Sequence, residues 1–128
     1  MFKKPFSFKG RIRRLEYGLS YPIAYGIIFI IAFIGEFISG LLFSGSFENI
    51  GTLIIIPFAI ALYWFFLAQG VKRSHDLGNS GWYILIPFYS LYILFADSQY
   101  GKNEYGSNPK GLGNIDEIEE IGQSENLN

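Results

Sequence analysis

Apolar residues in this chain gather into three long runs with no charged side chain among them. They cover residues 17–35, 49–71 and 77–96, which is 19, 23 and 20 residues. A helix needs about 20 mainly apolar residues to cross a hydrocarbon layer of ~30 Å. Soluble core helices are usually shorter and keep a polar face. Three such runs in 128 residues therefore predict transmembrane helices. The polar residues that matter gather between and beside them, at residues 6–17, 72–83 and 100–111.

The first span is expected over about residues 18–43. Pro22 then falls in its first turn, where a missing N–H costs little. Glu36 falls near its far end, where a carboxylate snorkels to the interface or is protonated, or else marks an ion site in a bundle. A secretory signal would also place an apolar run behind a basic segment. Here the basic segment is long, no small-x-small cleavage site follows Ile34, and two more apolar runs come later, so a retained signal-anchor is expected. Residues 44–52 are rich in Gly, Ser and Asn and read as a tight hairpin loop. The second span is expected over about residues 50–71, kinked at Pro57. The third, over about 77–96, is the least regular. Its strongly apolar part has 16 residues, or ~24 Å of helix, with Pro87 in the middle. A full crossing is expected, with a re-entrant segment as the alternative.

Cytoplasmic ends collect Lys and Arg. With the N-terminus inside and three crossings, eight of the ten bases fall on the inner side, and Lys102 and Lys110 on the outer. With two crossings all ten fall inside. Either bias is too strong for a dual-topology arrangement of the small multidrug transporter kind. Tyr17, Tyr21, Trp64, Trp82 and Tyr83 fall near the inner interface in both versions, where aromatic anchors collect.

Composition supports this picture. Charged residues make up 16% of the chain and hydrophobic ones 50%, against about a quarter charged in soluble domains. The mean hydropathy is +0.26. Zero Cys excludes disulfide scaffolds, thiolate metal sites and palmitoyl or prenyl anchors. The net charge of −1 hides an asymmetry, because a basic arm over residues 1–17 is offset by an acidic tail over 112–128.

The first motif, FSFKGRIRRLEY, puts Phe8, Ile12 and Leu15 at helical spacing. It is expected to form a short amphipathic interfacial helix whose Arg11, Arg13, Arg14 and Glu16 meet anionic headgroups or a partner. Nucleic acid is not expected, since the patch abuts the bilayer. In the second motif, KRSHDLGNSGWY, Gly78 and Asn79 are turn formers and Ser80 is placed to N-cap the third span. Arg73, His75 and Asp76 join the candidate binding set. Asp76 is expected to brace the loop or pair with Arg73, and Glu16 to pair with Arg13 or Arg73. His75 is expected to serve a structural hydrogen bond. A Ser80–His75–Asp76 triad lacks a nucleophile elbow, and one His beside one Asp does not make a metal site. In the third motif, YGKNEYGSNPKG, the glycines and Asn108-Pro109 mark successive turns. Residues 97–111 are expected to dock as an ordered segment near the end of the third span, with a disordered acidic tail after them.

At these motifs the chain resembles the domain of unknown function 805 family, small bacterial inner-membrane proteins. FSFKGRIRRLEY is similar to the family's start. Arg73, His75, Asp76, Gly78, Ser80, Gly81 and Trp82 match its loop. Gly101, Asn103, Tyr105, Gly106 and Pro109 match its closing motif. Any one of these is weak alone, but three in order between apolar runs are specific. The chain departs from the pattern at Gly18, where the family often has Trp, at Ser74, where it often has an aliphatic residue, and at Asn108, where Asp is usual. The resemblance implies the fold and a multi-pass place in the bacterial inner membrane. It implies no reaction.

The expected fold is thus an all-α integral membrane protein. It has three transmembrane helices, the third either crossing or re-entrant, behind a short interfacial helix and ahead of an acidic disordered tail. The expected role is a non-enzymatic component with no cofactor and no metal. It would bind membrane lipids through anionic headgroups on the cytoplasmic side, or a protein partner, or a second copy of itself. One alternative is a small oligomeric transporter or channel, with Glu36 and the proline kinks lining a path and Gly35 and Ser39 packing helices. A lipid-headgroup enzyme using His75 and Asp76 is the other.

Overall fold

The computed structural model describes residues 4–42 and 50–114. Two long helices dominate it, α1 over Arg14–Leu42 and α2 over Ile50–Asp76. At 1.5 Å per residue they are about 43 and 40 Å long. Both are long and apolar enough to cross a membrane. A 3₁₀ turn over Gly81–Leu85 and a short helix α3 over Tyr89–Phe95 follow. The two long helices approach through small residues, with Ser20, Ala24 and Ala68 buried between them. Tyr21 stacks on Phe66 at 4.9 Å between ring centroids.

The packed core sits at one end of this pair. Ile12, Tyr17, Tyr89 and Ile93 form it, with Tyr21, Leu77 and Leu94 against it. Tyr17, expected as an interfacial anchor, is 2% exposed. It packs in the core with Tyr89 and Ile93 of α3.

The third crossing is corrected. Residues 77–96 do not form one helix, and α3 has only 7 residues, about 10 Å of rise. Pro87 is the cause. It offers no N–H to a helix, and its ring pushes the preceding residue out of helical geometry. Ile86 is accordingly extended, at φ −76 and ψ 126, and Phe88 turns left-handed at φ 65. The chain after α3 returns to the end it left, where Gln99 N–H donates to the Asp76 carbonyl at 2.9 Å.

The interfacial helix is corrected as well. Residues 4–13 carry no helix. Gly10 has φ +97, and the arm's carbonyls are taken by side chains of α2. Gln69 Nε2 donates to the Pro5 carbonyl at 2.6 Å, and Trp64 Nε1 to that of Phe6 at 3.3 Å. The stripe dissolves, since Ile12 is 4% exposed and Leu15 68%. Because α1 starts at Arg14, Pro22 lies well inside it and leaves the Gly18 carbonyl without its helical donor. Residues 72–76, read as loop, are the last turn of α2. Of the expected hairpin loop, residues 50–52 begin α2, and residues 44–49 lie outside the described residues, as does the acidic tail from residue 115 onward.

Candidate functional site

The arm, the end of α2, the end of α3 and the closing segment meet around one carboxylate. Asp76 is the last residue of α2, and Arg73 lies one turn before it on the same face. One Asp76 oxygen accepts from Arg11 Nε at 3.0 Å. The other accepts from Arg73 and from Ser98 Oγ, the latter at 2.6 Å. All three charged side chains are at most 1% exposed.

The guanidiniums have further work. Arg73 donates to the Ile93 carbonyl at 2.8 Å and to the Ala96 carbonyl. These are carbonyls at the end of α3, which no intrahelical N–H can reach. Arg11 donates to the Gly101 and Gly106 carbonyls at 2.8 and 3.1 Å, and to those of Asp76 and Gln99 at 3.3 and 2.7 Å. Counting the Asp76 carboxylate, every one of its five N–H donors has an acceptor. A buried charge is tolerable only when paired and hydrogen-bonded in this way. Arg11, Arg73 and Asp76 therefore form a clamp that holds four segments together.

The remaining motif residues serve the same junction. The Asn103 side chain donates to the His75 carbonyl at 2.9 Å and accepts from Tyr105 N–H at 2.9 Å. Gly106 pairs with Asn103 in a two-residue bridge. Gly78 has φ +78, and a Cβ there would stand 2.4 Å from Gln99 Oε1. His75 lies face to face on Tyr105, with centroids 3.8 Å apart. No catalytic triad forms, because neighbouring helical side chains such as His75 and Asp76 point about 100° apart and Asp76 is occupied by the arginines. Ser80 stands at the N-cap position of the 3₁₀ turn but makes no side-chain capping bond. Its carbonyl instead accepts from Ser74 Oγ at 2.8 Å. Trp82 is exposed. Glu36 is exposed on α1, in the half away from the clamp.

Arg13, Arg14 and Glu16 lie outside the clamp. Arg13 Nε donates to the Pro109 carbonyl at 2.6 Å. The Glu16 carboxylate interacts electrostatically with Lys72. Beside them opens a cleft of about 590 Å³ lined by Lys4, Lys9, Arg13, Glu16 and Lys72, with Pro109 on its wall and Leu15 at its rim. Lys72 is buried at 2% exposure, and its ammonium donates to the Lys4 carbonyl at 3.4 Å. A second hollow of about 480 Å³ lies between α2 and the 3₁₀ turn, walled by Val71, Ile84 and Trp82 with His75 and Tyr105 at one side. Among the described residues no three His, Cys, Asp or Glu side chains converge as a metal site would need.

Sequence reasoning missed Gln69, Lys72 and Ser98 as parts of this end. The first two had a signal. Gln69, Lys72, Arg73 and Asp76 stand at i, i+3, i+4 and i+7, the spacing of one helical face.

These features define a class: an all-α protein in which two long apolar helices are locked at one end by a buried arginine–aspartate cluster. The chain belongs to the family described as protein of unknown function (DUF805), whose profile matches residues 5–107. That span contains the whole clamp. No curated protein and no solved structure matches the chain.

Proposed function

We propose that this chain is a non-catalytic membrane hairpin of the inner membrane whose clamped end lies at the cytoplasmic face and binds anionic lipid headgroups. The basic cleft is the observation that carries the reading. Its Lys4, Lys9, Arg13 and Lys72 outnumber Glu16, and a base near an anionic surface is worth about 1 kcal/mol. Two further features support it. Only 6% of the apolar stretch of α1 is buried within the chain, where a soluble core helix would be mostly covered. Every described Lys and Arg also lies at the clamped end, since the closing segment bonds back to the arm there. Two crossings then put all of them inside, as the charge rule favours.

The test is lipid retention. Protein purified from nanodiscs of mixed anionic and zwitterionic lipid is expected to keep the anionic species. The Lys4→Gln, Lys9→Gln, Arg13→Gln variant is expected to lose most of that preference while keeping its fold, since none of the three is in the clamp. Equal retention by both proteins would sink the reading. A second reading, an oligomer with an ion path, rests on Glu36, a carboxylate exposed on an otherwise apolar helix. It predicts flux in liposomes that Glu36→Gln abolishes.

A further inference from the structure

The cleft has a neighbour of opposite charge in its own chain. Beyond Asn114 the sequence runs IDEIEEIGQSENLN, with Asp116, Glu117, Glu119, Glu120 and Glu125 and no base. The point where this segment departs is fixed. Asn114 Oδ1 accepts from Asn108 N–H at 2.5 Å, and its amide donates to the Asn108 carbonyl at 2.9 Å. The next residue is Pro109, which forms part of the cleft wall and accepts from Arg13.

We propose that residues 115–128 dock in the cleft formed by Lys4, Lys9, Arg13 and Lys72 and compete there with an anionic lipid headgroup. The competition rests on the headgroup reading above, whereas the docking stands on its own. Charge complementarity selects the occupant. Four of the five acids fall within the first six residues after Asn114, a length of chain that spans up to about 20 Å. The tether is short, so the local concentration of the acidic segment at the cleft is in the range of millimolar. Apolar positions agree with the charges. Ile115, Ile118 and Ile121 recur every third residue, and the cleft offers Leu15 at its rim, 68% exposed. Both partners being charged, the contact weakens as salt shortens the ~10 Å screening length of 0.1 M solution.

The experiment is zero-length carbodiimide coupling of the full chain in a non-ionic detergent free of added lipid, read by peptide mass spectrometry. The exposed Lys110–Asp97 ion pair is an internal positive control. The expected result is Lys4 or Lys9 joined to Asp116, Glu117, Glu119 or Glu120 within one copy, as judged from mixed isotope-labelled chains. The yield should fall several-fold in high salt. With the control pair captured, tail carboxylates joined only to Lys102 or Lys110, only to a second copy, or to nothing would overturn the docking. The competition is read separately. Anionic lipid, and not zwitterionic lipid, should displace the Lys4 and Lys9 products, and neutralising the four acids should raise anionic lipid retention. Products that persist beside retained anionic lipid would overturn the competition. Intrachain products with no anionic lipid retained by either protein would instead overturn the headgroup reading and leave the docking in place.

Discussion

The two halves of the helix pair invert each other. At the far half, Phe29, Phe33, Phe37 and Leu41 of α1 and Leu53 and Ile60 of α2 are exposed. At the clamped half the largest fully buried side chains include Arg73, Lys72, Gln69 and Asp76. A water-soluble domain does the reverse in both places. The difference shows what holds each half. The far half gains little from covering its own apolar surface, which suits a hydrocarbon environment. The clamped half is held by directional bonds from a few side chains to backbone carbonyls, many of them 65 to 95 residues away in sequence.

Removing the charge at the centre of the clamp should have the largest effect. Asp76→Asn keeps the shape but leaves Arg11 and Arg73 buried without a carboxylate. Breaking a buried pair by losing one partner costs about 3–5 kcal/mol. Thermal unfolding in detergent is expected to drop sharply, and proteolysis should open residues 97–111 first. A variant as stable as the parent would show that the buried arginines have another counter-charge.

The opposite half gives the next effect. Phe29 is 72% exposed, so Phe29→Lys in a water-facing helix would change stability by no more than about 0.5 kcal/mol. Facing hydrocarbon, a lysine near the helix centre costs about 2.5–3.5 kcal/mol on insertion scales. A large fall in membrane insertion is the expected outcome. Normal yield of a soluble, folded variant would remove the membrane reading of that half.

How much of this was legible in the sequence follows the same division. The two long helices were plain, because an uncharged run of sufficient length needs no tertiary information. The third run met the same length criterion and failed, since hydropathy does not register that Pro87 and the left-handed Phe88 break the helix. At the clamped end the residue types were visible and the contacts were not. Arg11 stood out as a base, yet its acceptors are carbonyls of Gln99, Gly101 and Gly106, and backbone carbonyls carry no sequence signature. The charge of residues 72–76 suggested a loop. The helical spacing from Gln69 to Asp76, read as one polar stripe, would have kept them in α2. The arm's Phe8, Ile12 and Leu15 pattern fitted a helix, and tertiary bonds from Gln69 and Trp64 overrode it.

The smallest effect is expected at the exposed ion pair, which separates the clamp from its surroundings. Lys110 bonds Asp97, whose side chain is 68% exposed. The Lys110 hydrogen bond, and then the Ser98 N–H, hold the Asp97 carboxyl below the usual carboxylate range. A carboxyl lowered in the folded chain adds stability above its unfolded value of about 3.9, and that contribution is lost as pH falls through the lower folded value. Lys110→Met removes the leading cause. The Asp97 titration followed by NMR is expected to move up toward the ordinary value, while the melting temperature at neutral pH stays nearly unchanged, as is usual for exposed pairs. A large loss of stability would mean that the bridge belongs to the clamp. An unmoved titration would mean that Lys110 does not meet Asp97 in solution. In either case the boundary between the bonded interior of this end and its solvated rim would have to be redrawn at the loop joining α3 to Gly101.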